Sequence, residues 1–437
     1  MSNMLRKALL GGAALAVMTT GAAADELATL KAQLAALQSQ VDTIQSAPAQ
    51  APAGSSMLRY ERGLGGNTWG LDAVKDGANV HDGGGFTIAV TPTADLPAPV
   101  AEVTVYGYAA GHVAYDFDDT HGTANSFDAS TLGTPETGDH IALTHQQSRF
   151  GIKSKIDTAV GQIRTQLEFD AASGTGNAGS TRIRSRHAVG HWDMTPNWTL
   201  SVGQWWFTAA LLPIGVSTVD FAGSLLTYSR TPQVRLSYSD GPLSWAVAIE
   251  NPTFESDTNM PNIAGYMQYD IAGGHQFIVT GEVADWDPAD DGDANDELGW
   301  AVQVGANFNL ADIATLTAGF GYGEGLLTTK FVFDEGFQST DINDDPLEAL
   351  AFVVGLSFGL SETTTFNAMF SYAEALEEQD GGSDEEKVYK VHANILWQPV
   401  KQMRMGWEVL WAHKEYEADE GEDEDGVRAS FATWFFF

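Results

Sequence analysis

Arg182, Arg184 and Arg186 stand two residues apart, with Ile183 and Ser185 between them. On a β-strand this spacing turns all three guanidinium groups to one face. The same period sets Arg149, Lys153 and Lys155 on one face of an earlier segment. It sets Arg164 on the next segment and Arg235 on a later one, with Glu168, Asp170 and Glu250 on the shared face. Guanidinium groups keep their charge and grip carboxylates through a bidentate fork. A row of them must therefore meet water or acids. Two uses compete. Fixed cations lining a narrow aqueous passage attract anions. Alternatively, the arginines pair with Glu168 and Asp170 and only stiffen a wall.

Positioning such a row requires strands with one wet and one apolar face. From Val103 onward the chain alternates with period two in sixteen segments: about 103–116, 143–156, 160–171, 181–193, 197–206, 230–239, 243–250, 262–271, 275–286, 298–309, 314–322, 349–360, 363–373, 387–398, 401–414 and 426–437. Most have the length that crosses a bilayer at a tilt, about 9–11 residues. Very short connections, such as 240–242 and 361–362, alternate with long acidic ones, such as 118–142 and 323–348. Short turns on one side and long loops on the other describe a transmembrane β-barrel. The expectation is an all-β, 16-stranded antiparallel transmembrane β-barrel over 103–437. A barrel of that size leaves an aqueous lumen. A soluble array of sandwiches would not explain the strict alternation of short and long connections, nor the aromatic end Trp434-Phe435-Phe436-Phe437.

The segment 207–229 does not alternate. It carries Phe207, Leu211, Leu212, Pro213, Val219, Phe221 and Leu225, with Asp220 its only acid or base. That composition fits a loop folded into the barrel mouth, or one packed outward on a neighbouring subunit. The other long loops are acidic and read as solvated. Their spacing does not match a calcium-binding EF-hand loop. Divalent ions bridging them to anionic lipid or lipopolysaccharide is the bland alternative.

The N-terminal part is organised differently. Residues 1–24 read as a signal peptide: Arg6 and Lys7, an apolar stretch 8–18, then Ala22-Ala23-Ala24. Leu27, Leu30, Leu34, Leu37, Val41 and Ile44 form a heptad seam, so 25–46 reads as a short periplasmic coiled coil. A helix this short is marginal alone in water, which favours self-association over a lone amphipathic helix. Residues 47–102 read as a linker and an irregular periplasmic segment, with brief alternation around 86–90.

The chain has no cysteine and a formal charge of −36. Such acidity excludes nucleic acid as a partner. Scattered histidines, with no phosphate loop, zinc spacing or dinucleotide turn, give no enzyme and no cofactor or metal site.

Several motifs resemble the DcaP-like family of trimeric outer-membrane porins. They are Val105-Tyr106-Gly107-Tyr108, Gln147 to Lys153, Ile163 to Asp170, Arg182 to Ala188, Val202 to Trp206, Asp220-Phe221-Ala222-Gly223 and Arg230 to Leu236. The resemblance is firm over about 103–252 and architectural beyond. It implies a homotrimer in the bacterial outer membrane with its N-terminal segment in the periplasm. It also implies passive diffusion of small anionic, dicarboxylate-like solutes. By position the constriction would be lined by Arg149, Arg164, Arg182, Arg184, Arg186 and Arg235; strand alternation adds Lys153, and the loop reading adds Asp220. The loop after Trp206, Phe207-Thr208-Ala209-Ala210-Leu211-Leu212-Pro213, is less polar than the family pattern. The alternative is an interaction barrel tethered by its coiled coil to periplasmic partners, with unselective or cation-selective permeation.

Overall fold

The structure is a computed structural model that describes residues 56–61, 85–90, 101–117, 122–132, 138–173, 181–211, 216–221, 223–226, 229–253, 260–286, 297–311, 313–332, 337, 340–341, 345–379, 385–416 and 423–437. The signal peptide and the coiled coil lie outside the described residues.

Two strands precede the barrel, β1 (Ser56–Glu61) and β2 (Gly85–Val90). The barrel wall starts with β3 (Ala101–Phe117), β4 (His140–Thr144), β5 (Arg149–Thr158), β6 (Gly161–Ser173), β7 (Arg182–Asp193) and β8 (Trp198–Trp206). It continues through β9 (Arg230–Asp240), β10 (Leu243–Glu250), β11 (Asn262–Ile271), β12 (His275–Trp286), β13 (Glu297–Leu310) and β14 (Ala314–Glu324). It ends with β15 (Glu348–Ser361), β16 (Thr364–Ala375), β17 (Glu385–Val400), β18 (Met403–Tyr416) and β19 (Glu424–Phe436). Neighbours pair antiparallel throughout. β19 returns to β3, from Phe436 opposite Tyr108 to Val427 opposite Phe117, and the sheet closes. β4 and β5 both pair with β3 and together fill one position, which makes the wall sixteen-stranded.

The alternation sorts side chains as the period-two pattern requires. On β10, Ser244, Ala246, Ala248 and Glu250 are buried inside, while Val247 and Ile249 stay about half exposed outside. On β17, Lys390, His392 and Asn394 point in and Val391, Ile395 and Trp397 point out. An apolar outer face around a polar interior is the signature of a barrel that sits in lipid.

Three local features depart from the plain alternation. First, residues 145–148 interrupt the second strand position; Ser148 spans the break, its hydroxyl accepting from Ala110 N–H at 2.9 Å. Second, the β6–β7 register shifts between Glu168 and Phe169, so Arg186 and His187 are both buried although adjacent. A bulge inserts one residue and flips the facing of the residues after it. Third, within the segment read as irregular, β1 pairs with β2, and β2 pairs with the Ala101–Val105 end of β3.

Candidate functional site

The wall formed by β5, β6 and β7 carries the densest charge. Arg186 donates to Glu168 at 2.6 Å and to Asp170 at 2.8 Å. Arg184 grips the same Asp170 with two bonds of 3.0 and 2.8 Å. Arg149 lies 3.4 Å from Glu168 and packs its guanidinium over Tyr108. The Tyr106 hydroxyl donates to Glu168 at 3.0 Å and accepts from Gln166 at 2.8 Å. Tyr106 can lie flat here because Gly151 has no side chain. A Cβ on Gly151 would sit 2.3 Å from the Tyr106 ring.

Arg230 joins this group from the start of β9. Its guanidinium stacks 5.0 Å from the Trp206 ring, against which Arg186 also packs at 5.5 Å. It lies within electrostatic reach of Arg149, Arg184 and Arg186. Three arginines (Arg149, Arg184, Arg186) share two carboxylates (Glu168, Asp170), and Arg230, packed on the same Trp206 ring as Arg186, adds a fourth cation, an excess of two positive charges. Arg184 keeps about a third of its side chain exposed. Arg182, at the outer end of β7, is exposed and has no ion pair among the described residues.

The loop between β8 and β9 crosses the lumen toward the opposite wall. At its start Thr208 N–H donates to Glu250 on β10 at 2.6 Å, and Gln303 on β13 donates to the Ala209 carbonyl at 2.9 Å. At its far side the Glu408 carboxylate on β18 accepts from Val219 N–H and Asp220 N–H at 3.0 and 2.8 Å. Asn394 on β17 donates to the Ser217 carbonyl at 2.8 Å. The loop therefore folds inward and is fastened at both ends. Phe221 then faces the charged wall, its ring 6.0 Å from the Arg186 guanidinium.

The expectation that the other long loops are solvated is corrected for two of them. After β14, Leu326, Leu327 and Phe331 are fully buried, and Lys330 reaches Glu250 at 3.0 Å and Glu282 on β12. Leu226 and Val332 bridge the two inward loops. After β3, Phe127 and Leu132 are buried, and Phe221 N–H donates to the Asn125 carbonyl at 2.7 Å. The acidic parts of these segments mask short apolar runs that find one another only in the closed barrel.

The residues expected to line a constriction are thereby divided. Arg149, Arg184 and Arg186 converge. Lys153 lies beside them, its ammonium 5.6 Å from the Tyr106 ring. Arg164 sits nearer the short turns, held by Asp193 through bonds of 2.7 and 2.8 Å. Arg235 is fully buried, donating to Gln233 at 2.8 Å and to the Trp206 carbonyl, with its guanidinium 4.5 Å from the Trp205 ring. Asp220 is a fastening rather than an exposed lining group: it accepts from Phe127 N–H at 2.7 Å and lies 3.7 Å from Arg428. Burial pushes its carboxyl above the ordinary range, with Arg428 opposing. Strand alternation alone leaves Arg230, Trp206 and Lys330 out of the site. The Arg230-Thr231-Pro232 start of β9, opposite Trp206, is the available signal for the first two.

Arg428 shows how such groups hold the lumen together. It grips Asp116 with bonds of 2.6 and 2.9 Å and donates to the Thr123 carbonyl at 2.7 Å, with almost no exposure. Removing one partner of a buried pair costs about 3–5 kcal/mol. Asp116→Ala is therefore expected to lower the unfolding temperature of the purified barrel markedly. An unchanged melting profile would show that water reaches Arg428.

A closed sixteen-stranded barrel, apolar outside and polar within, with a loop fastened across its lumen, is the architecture of outer-membrane porins. Residues 227–433 match the family described as Porin subfamily. Among solved structures the chain is similar to the outer-membrane channel DcaP of Acinetobacter baumannii. The TM-score is 0.63 at 21% identity, covering 77% of this chain and 97% of that one. It is similar also to the anion-selective porin of Comamonas acidovorans (TM-score 0.55, 12% identity, 77% of this chain and 100% of that one). A third likeness is the trimer form of OmpT from Vibrio cholerae (TM-score 0.52, 14% identity, 77% and 99%). No curated protein matches the chain. The porin-subfamily match covers the second half of the barrel, and the fold is shared with outer-membrane channels.

Proposed function

We propose that this channel passes small anionic solutes, dicarboxylates among them, between the Arg149–Arg184–Arg186–Arg230 wall and the inward loop that carries Phe221. One observation carries the reading: four cations gather around two carboxylates, three of them paired and Arg230 stacked on Trp206 beside them, where the inward loop approaches the wall. In a passage with low-dielectric sides, such an excess raises the local anion concentration. Arg184, partly exposed and already bidentate to one carboxylate, is the group placed to hand a second one along. The acidic external loops oppose anion entry over a Debye length of about 8 Å at physiological ionic strength, so the inner wall governs the passage itself.

Assembly as a homotrimer belongs to the same proposal, with residues 25–46 as its periplasmic coiled coil and 1–24 as the export signal. The DcaP-like sequence motifs and the trimeric form of one structural relative support it. Outer-membrane lipid and lipopolysaccharide would surround the apolar outer face.

Liposome swelling tests the reading. Vesicles carrying the protein should swell faster in succinate than in 1,4-diaminobutane, a dication of the same carbon length. Equal rates, or faster entry of the dication, would remove the role given to the arginines.

A further inference from the structure

A cavity of about 750 Å³ opens at the short-turn end of the barrel, between β5 and β11. It lies apart from the arginine wall just described, which sits toward the long loops. Its volume falls in the range of small-molecule sites, about 300–1,000 Å³. What distinguishes it is the lining. Thr199, Ser201, Ser237, Ser239 and Ser244 bring five hydroxyls to one space. Hydroxyls donate and accept, so they suit a solute whose own hydroxyls do both. Ser201 is held by His191 at 2.8 Å, and Ser239 and Ser244 hold each other at 3.1 Å.

The aromatic side chains Trp205 and Tyr266 close the inner end, and both are buried. Trp205 is fixed from behind by the Arg235 guanidinium at 4.5 Å and from the side by the His191 ring at 4.8 Å. Only the ring edges reach the cavity, so they give a cyclic solute an apolar stop at the inner end rather than a stacking face. At the rim Lys155 keeps 45% of its side chain exposed and lies 3.8 Å from Glu102, a loose pair open to water. Arg164 is matched one to one by Asp193, whose carboxylate also accepts from Thr199 at 2.7 Å. With Glu102 beside Lys155 and Asp193 on Arg164 the rim carries no net charge, and Lys155 is the cation of the lining that a solute carboxylate can reach without breaking a buried pair.

We propose that this cavity is a second binding station, for a hydroxylated monocarboxylate of hexuronate size. One edge of the solute's ring would abut Trp205 and Tyr266, its hydroxyls would bond the serine and threonine row, and its single carboxylate would face Lys155. The wall above, with two excess charges and few hydroxyls, suits a compact dianion instead. The two stations thus differ in the chemistry they take. The cavity is reached from the short-turn side without crossing the constriction, so the proposal does not depend on which ions the constriction selects.

The test is calorimetric titration of the detergent-solubilised full-length protein with D-glucuronate, with methyl β-D-glucoside as the neutral match. Glucuronate should bind and the glucoside should bind more weakly. Lys155→Gln should weaken glucuronate by about tenfold, equivalent to about 1.4 kcal/mol. Ser237→Phe, which fills the cavity, should abolish binding. A separate glucuronate event that Arg186→Gln removes belongs to the wall; the event that Lys155→Gln and Ser237→Phe remove belongs to the cavity. Lys155 is at the rim, so Lys155→Gln tests the site even where Ser237→Phe does not fold. Absence of glucuronate binding overturns the proposal. So does binding indifferent to Lys155→Gln and Ser237→Phe, and so does binding lost with Arg186→Gln but kept with Ser237→Phe.

Discussion

Replacing Arg184 and Arg186 together by glutamine will turn the channel from anion preference toward cation preference. The wild-type wall sets four cations against Glu168 and Asp170. The double replacement leaves Arg149 and Arg230 against the same two acids, so the local excess falls from two charges to none. The external loops and the rest of the chain, at −36 overall, then dominate the field that an entering ion feels. Glutamine retains donors for Asp170 and Glu168, which limits collapse of the wall. Glu168 also keeps its bond from Tyr106. The permeability ratio of chloride to potassium should fall below one, and block by succinate should weaken by about tenfold or more, as expected when a bidentate charged partner worth over about 1.4 kcal/mol is lost. An unchanged ratio would mean that the arginines serve only to brace β5, β6 and β7.

The second large effect concerns the inward loop. Glu408 accepts two successive backbone N–H groups, from Val219 and Asp220, and a third bond from Asn394 at 2.9 Å. It lies 3.4 Å from His392, and all of this is buried. Glu408→Ala leaves two buried N–H donors without acceptors, at about 1–3 kcal/mol each. The loop's near end stays fastened through Glu250 and Gln303. Its far end is then expected to leave the wall, carrying Phe221 away from Arg186. Single-channel conductance should rise clearly and anion preference should fall with it, while the barrel remains folded. Unaltered conductance would show that the bridges to the neighbouring inward loops, such as Leu226 to Val332, suffice to hold it.

The wall was legible in the sequence because alternation is a local property. β10, β11 and β12 fall on the segments 243–250, 262–271 and 275–286 that the pattern delimits. Side-chain facing on β10 and β17 comes directly from it. The bulge at Arg186 and His187 was not legible, since one extra residue changes register without changing composition. The three arginines keep one facing but differ in depth: Arg186 is buried on two acids, Arg184 keeps about a third of its side chain exposed and Arg182 is exposed. Pairing across strands is likewise a matter of register. Nothing in the local sequence couples Arg164 to Asp193, or Arg428 to the distant Asp116. The apolar composition of 207–229 did announce an inward loop. The run around Lys330 did not, because its acidic flanks resemble a solvated segment. Its burial is decided by Glu250 and Glu282, the two wall carboxylates that Lys330 pairs with across the lumen.

The most direct test of the account is the reversal potential of the purified protein in a planar bilayer under a potassium chloride gradient, followed by succinate titration. The account predicts a potential of the sign set by chloride permeation, with current reduced in steps as succinate is added. A potassium-dominated potential that succinate leaves untouched would contradict it, and would assign the arginine wall to holding the barrel together.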